Sequence, residues 1–164
     1  MKRHERYRAS ADRLDNFKLS EIPEGRNKYC GPAAVAAIAG IDVDDASRAL
    51  AYAIEDKRWI MQKNPDAVKG TSPREVKFAL EIHGYTTRLA RRGLVPECRE
   101  NFKDWMARTE SRRGDNVYLV SAGQHWRVVH GYQTVCGVKR KPHAASSSHK
   151  SRSHVKQVYT ILPY

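Results

Sequence analysis

Small and aliphatic residues recur at helical spacing in the first half of the chain. Residues 33–39 are all alanine, valine or isoleucine, and Gly40 follows where a helix of this kind ends. Residues 45–54 repeat alanine and leucine every three or four positions, after Asp42 or Asp44, either of which can cap a helix. Two consecutive helices are therefore predicted here.

A third helix has a clear start signal. Ser72 is followed by Pro73 and then by Glu75, the pattern of a capping box with proline in the first turn. This helix is predicted to end before Gly84, with His83 as its C-cap. Further helices are predicted at 101–109 and, within a basic N-terminal arm covering residues 1–20, near 10–17.

The last third of the chain has the apolar and β-branched runs of strands. VYLV and WRVV flank a Ser-Ala-Gly-Gln turn, which predicts a hairpin. Strands are predicted at 85–89, 116–121, 125–132, 134–138 and 155–162. Helices followed by an antiparallel sheet indicate an α+β fold of two packed layers.

Length and composition limit the possible classes of protein. The chain has 164 residues, enough for one cored domain, assigned to residues 21–164. No apolar run is long enough to span a membrane, and residues 1–17 lack the apolar stretch of a secretion signal. Three cysteines without a CxxC pair favour a reducing cytoplasm over disulfides or a zinc site, so no metal or cofactor is expected.

The chain is strongly basic, with a net charge of +12. Residues 139–154, called here the basic segment, contain five serines, three histidines and five Lys or Arg but no acid, and they predict a flexible loop between two strands. Solvated surface is one interpretation. Contact with DNA, RNA or another acidic surface is the other, through Lys139, Arg140, Lys141, Lys150 and Arg152.

Cys30 is the candidate nucleophile. It precedes Gly31 and Pro32 at the start of the first predicted core helix, where proline is tolerated and N–H groups are unpaired. The helix dipole favours an anion there, so the thiol pKa is expected to fall.

His125 is the candidate base for this thiol. It opens the second strand of the predicted hairpin, and a nucleophilic cysteine needs a base from elsewhere in the chain. His130 is a rival on the same strand, but five residues apart the two point to opposite faces. His130 shares its face with Trp126 and Val128, which favours a packing role, whereas Trp126 is a candidate shield of the His125 imidazole from water.

The Cys-Gly-Pro helix start and the later His-Trp strand with a downstream glycine resemble the papain-like cysteine peptidase superfamily. The likeness extends over 27–164, including the helix at 70–85, and is closest to bacteriocin-leader-processing peptidases and small papain-like proteins of tailed bacteriophages. It implies a papain-like fold in which helices carrying the cysteine pack on a sheet carrying the histidine. It also implies hydrolysis of a polypeptide or amide by a Cys30–His125 dyad, in a host cytoplasm or a virion.

The chain departs from the family pattern at two places. Residues 133–137 hold no Asp or Asn to orient the histidine, and Cys136 stands where an acid is expected. The glutamine expected before the nucleophile is also missing, and in that region only Asn27 can donate a side-chain amide N–H to an oxyanion. The alternative is therefore a catalytically degenerate papain-like virion protein that binds nucleic acid or other phage structural proteins.

Overall fold

The computed structural model describes residues 3–25, 29–54, 68–90 and 100–164. It confirms the α+β class, with helices preceding most of a six-stranded antiparallel sheet. The helices are α1 Arg3–Asp15, α2 Cys30–Ala39, α3 Val43–Ala53, α4 Pro73–Ile82 and α5 Phe102–Arg113. The strands are β1 Tyr85–Leu89, β2 Val117–Ala122, β3 His125–His130, β4 Gln133–Cys136, β5 His143–Ala144 and β6 Val155–Pro163.

The strands lie in the order β1-β6-β2-β3-β4-β5, and every pair is antiparallel. Alternate side chains point to opposite faces of the sheet, so each face has its own core. One face, called the α2 face, packs with α2, α3 and α4 through Val117, Leu119, Trp126, Val128, Val135, Tyr159 and Ile161. The other, called the α5 face, packs with α5 through Val120, Ala122, Val129, Val155 and Val158.

The predicted helix starts are confirmed at α3 and α4. Asp42, rather than Asp44, caps α3 by accepting the Asp45 N–H at 2.7 Å. At α4, Ser72 accepts the Glu75 N–H, and the Glu75 carboxylate accepts the Ser72 N–H at 2.6 Å. Both caps satisfy N–H groups that a helix start leaves unpaired.

The first helix differs from the prediction, since α1 covers Arg3–Asp15 rather than 10–17. Its last turn holds Arg13, which donates to the carbonyl oxygens of Ile38 at 2.8 Å and Ala37 at 3.2 Å. These carbonyls end α2 and have no helical N–H partner. The basic arm is therefore joined to the helix that carries Cys30.

The basic segment contains structure that the sequence did not predict. β5 pairs with β4, and a 3-10 helix follows at Ala145–Ser147. Ala145 and Ser148 are buried against the α5 face. β3 and β4 are also each two residues shorter at their C-terminal ends than predicted. In the described ranges, no helix has the length and apolar character needed to cross a bilayer.

Candidate active site

Cys30 is the first residue of α2, as predicted, and it is half-buried. Tyr29 precedes it in extended conformation and supplies no side-chain cap, so the first N–H groups of the helix stay available. A glycine is required at position 31 because a Cβ there would overlap the Thr71 side chain, with Cγ2 at 2.9 Å. The Cys-Gly-Pro sequence thus lets the start of α2 approach the segment that leads into α4.

Burial decides the pKa of the Cys30 thiol. Desolvation raises this pKa above its usual value, and the nearby Cys136 adds to the increase. The backbone N–H groups of Trp126, Cys30 and Gly31 lower it. Only the last two belong to the start of α2 and represent the helix-start effect expected from the sequence. The expectation of a lowered thiol pKa is therefore wrong in sign, because desolvation outweighs these donors.

His125 opens β3, as predicted, and only 7% of its surface is exposed. It lies opposite Ala122 in the β2–β3 register, which places its side chain on the α5 face. Its ring contacts the ring of His149 edge-on, with centroids 5.4 Å apart. The Nε2 atom is buried and has no hydrogen-bond partner within the described residues.

The His125 imidazole is held in its neutral form. Burial is the main cause, and the charges of Arg127, His149 and Lys150 add to it, together lowering the pKa to about 4. No carboxylate is among these influences. The position where an orienting acid was expected, Cys136, instead lies opposite Arg127 across the β3–β4 pair.

The fold brings Cys30 to the start of β3 without joining the two candidate side chains. The Trp126 N–H lies close enough to the thiol to hydrogen-bond it, so Cys30 borders the residue that follows His125. Helix α2 nevertheless packs on the face opposite the His125 side chain. His125 Nε2 has no hydrogen-bond partner among the described residues, so it makes no hydrogen bond with the thiol. The Cys30 thiol is therefore close to the backbone beside His125, but the thiol and the imidazole do not form an observed side-chain pair.

Trp126 and His130 occupy the α2 face. The Trp126 indole N–H donates to the Thr71 carbonyl at 3.1 Å, which fixes the loop beside Gly31. It does not share a sheet face with His125, so the expected shielding of that imidazole is wrong. His130 contacts the Phe17 ring edge-on at 5.3 Å, in agreement with a packing role.

Arg127 is a site residue that the sequence reasoning missed. It is completely buried on the α5 face, and its guanidinium lies 4.1 Å from the centroid of the Phe102 ring. Burial lowers its pKa, whereas Cys136 and Cys30 raise it, so the guanidinium and the thiol of Cys30 influence each other. The available signal was a single arginine inside the apolar run WRVV, since arginine is almost never fully buried without a partner.

The predicted nucleic-acid-binding residues of the basic segment are not equally available. Arg140 donates to the Pro23 carbonyl at 2.6 Å and to Gly137, and Lys139 donates to Ser147 at 2.5 Å. Lys141 is exposed and lies 4.0 Å from Glu21. Lys150 and Arg152 are exposed. Part of this positive charge therefore anchors the fold.

Asn27, the expected side-chain donor to the oxyanion, lies outside the described residues. Within the described residues, no group of histidine, cysteine and acidic side chains is arranged to hold a metal ion. Comparisons with protein-family models, with curated proteins and with solved structures found no match.

Proposed function

We propose that the protein is a papain-like cysteine hydrolase, a peptidase or amidase, in which Cys30 is the nucleophile and His125 the base. The observation that carries the proposal is the position of the Cys30 thiol at the uncapped start of α2, beside the N–H of Trp126. Trp126 directly follows His125 in the chain. A nucleophile at a helix start with backbone donors around it is the arrangement that acyl transfer needs.

The protonation states determine the order of events. With its pKa near 4, His125 is neutral at neutral pH and able to accept a proton, while the raised pKa of Cys30 keeps its thiol protonated. In this structure the imidazole lies on the face of the sheet opposite α2, so the proposed reaction requires it to turn around the start of β3 towards Cys30. The thiol proton then passes to His125 as sulfur bonds to the substrate carbonyl carbon, and the imidazolium returns it to the leaving group. The Cys30 N–H and Asn27 are the proposed donors to the oxyanion. Water then hydrolyses the thioester.

The substrate proposed from the papain-like resemblance is a polypeptide or another amide. The same resemblance supports a bacteriophage origin, with action in a host cytoplasm or in a virion.

An activated ester tests the nucleophile without knowledge of the natural substrate. Attack of the Cys30 thiol on p-nitrophenyl acetate forms an acetyl thioester and releases p-nitrophenol, and hydrolysis of the thioester then releases acetate. Intact-mass spectrometry should show one acetyl group, lost in Cys30→Ala and retained in Cys136→Ala. His125→Gln should slow acylation by about a hundredfold or more, the usual contribution of a general base. Acylation of Cys30→Ala at the wild-type rate would refute the nucleophile.

A second function, a catalytically degenerate papain-like virion protein, is favoured by the electrostatics of His125. The cations around the imidazole oppose the imidazolium that catalysis requires, and no acid in the described part of the chain compensates them. Such a protein would bind nucleic acid or an assembly partner through the basic segment. Wild-type acylation no faster than that of His125→Gln, combined with salt-sensitive DNA binding, would favour this function.

A further inference from the structure

A positive charge that contacts the Phe102 ring but has no anionic partner among the described residues is buried on the α5 face. Arg127 has no exposed surface, and its Nη2 donates to the His149 carbonyl at 3.0 Å. Its Nη1 lies 3.5 Å from the Ser148 hydroxyl. These partners are neutral, and none of the ion pairs between described residues includes Arg127. A buried charge is unfavourable unless an anion pairs with it.

Three buried nitrogen atoms on this face lack hydrogen-bond partners among the described residues. They are His125 Nε2, Arg127 Nε and His143 Nε2. His125 and Arg127 alternate along β3, and Arg127 lies opposite Cys136 on β4. His143 on β5 lies opposite Thr134, two residues from Cys136, so all three side chains share the α5 face. Unpaired buried polar atoms are rare in folded proteins, and three on one face require an explanation.

This cluster has a route to solvent through the basic segment. His149 and Lys150 are exposed, and the His149 ring contacts the His125 ring at 5.4 Å. Positive charge from Arg127, His149 and Lys150 converges on His125. The surface above the buried arginine is therefore positive and rich in nitrogen donors, a combination that attracts an oxyanion.

We propose that His125, Arg127, His143, His149 and Lys150, called the Arg127 cluster, bind one small oxyanion with the chemistry of a sulfate, phosphate or carboxylate group. The anion accepts from Arg127 Nε–H and from the His125 imidazole N–H, and it neutralises the buried guanidinium. His143 can donate from Nε2 only when its imidazole is protonated, because its Nδ1 already donates to the Lys141 carbonyl at 2.7 Å. The proposal does not depend on the activity of Cys30. An anion there also favours protonation of His125 and of the partly buried His143, so binding takes up protons and strengthens as pH falls.

Sulfate is the probe, because its charge is constant near neutral pH. Calorimetric titration of the intact protein, with chloride at matched ionic strength as the reference, should give one saturable site that is tighter at lower pH. The Arg127 Nε–H signal in a nitrogen-correlated NMR spectrum should shift with the same saturation. A titration with acetate in place of sulfate shows which oxyanion geometry the site prefers.

Matched variants separate the Arg127 cluster from general surface charge. His149→Gln and Lys150→Gln should each weaken sulfate binding by about two- to fivefold, whereas Arg152→Gln, an exposed cation of the same segment, should leave it unchanged. Arg127→Lys keeps the charge but loses Nε, and should weaken binding by about tenfold. If Arg127→Lys fails to fold, the two surface variants still decide the question.

Three results would overturn the site: no saturable binding, an Arg127 Nε–H signal that sulfate leaves in place, or equal weakening by Lys150→Gln and Arg152→Gln. Cys136 is the competing partner for the Arg127 guanidinium, since the two residues lie opposite each other and Cys136 Sγ accepts the Lys139 N–H at 3.3 Å. An Arg127 Nε–H signal that moves in Cys136→Ala but not with sulfate would establish that pairing instead. Sulfate binding retained in Cys136→Ala supports the oxyanion site.

Discussion

At the scale of single residues, the burial of His125 makes stability depend on pH. The pKa of this imidazole is about 4 in the folded protein, compared with 6.5 for a solvent-exposed histidine such as that of an unfolded chain. The unfolded chain therefore binds the proton first as pH falls. The contribution of the buried, neutral imidazole to stability is complete above about pH 6.5 and is lost towards pH 4. A pKa difference of this size between the folded and unfolded chain corresponds to about 3 kcal/mol of unfolding free energy.

Urea unfolding across this pH range measures the effect. His125→Gln, which cannot ionise, should give a flatter profile, whereas His154→Gln at an exposed position should follow the wild type. His143 also has a pKa lowered by burial, so some dependence will remain in His125→Gln. Parallel profiles for the wild type and His125→Gln would contradict a buried neutral imidazole at this position.

Single-residue predictions succeeded where the deciding interactions are local. Gly31 and Pro32 follow Cys30 directly, so its place in the first turn of a helix was readable from the sequence. The pKa of the Cys30 thiol could not be read from the sequence, because burial by distant parts of the chain outweighs the effect of the helix start. Arg127 was overlooked for the same reason, since its partners come from the basic segment.

At the scale of helices and strands, the junction of α2 with the α4 entry loop is a close steric fit. Gly31→Ala should destabilise the protein by about 1–3 kcal/mol, because the new methyl group overlaps the Thr71 side chain. Thr71→Ala removes the hydroxyl and Cγ2 and should recover part of that loss in the double variant. Chemical denaturation of the two single variants and the double variant gives the coupling energy. Additive free energies would show that the two residues do not compete for space.

Whole helices and strands were likewise predicted where local residues determine them, and missed where distant parts of the chain do. The starts of α3 and α4 were predicted because their caps lie within three residues of the helix. β5 gave no periodic signal, since it is two residues long and exists through pairing with β4. The extent of α1 was misjudged in a region where Arg13 contacts the end of α2.

At the scale of the whole molecule, element order predicted the α+β class but not the order of the strands. β6, the last strand, lies between β1 and β2, and no local pattern indicates this pairing. The face of the sheet on which each side chain lies depends on how the strands pair and on which helices cover each face. This explains why the sequence could name Cys30 and His125 but could not show that α2 packs on the face opposite the imidazole.

The charge of the whole molecule bears on the proposed binding of nucleic acid. Deleting the basic segment is a poor test, because Ser148, His149 and Arg140 hold Arg127 and the Pro23 loop. Point substitutions avoid this problem. Replacing Lys141, Lys150 and Arg152 by glutamine lowers the net charge from +12 to +9, and so does the matched control Arg74→Gln, Lys103→Gln and Arg112→Gln at exposed helical positions.

Fluorescence anisotropy with duplex DNA at several salt concentrations then separates local contact from total charge. If the basic segment binds phosphates, removing each cation that pairs with a phosphate lowers the slope of log affinity against log salt by about 0.9, because fewer counterions are released. The segment variant should therefore lose affinity and slope, and the control, with the same charge of +9, should keep the wild-type slope. Equal loss in both would mean that net charge alone attracts DNA. An unchanged slope in the segment variant would show that its cations are solvated surface.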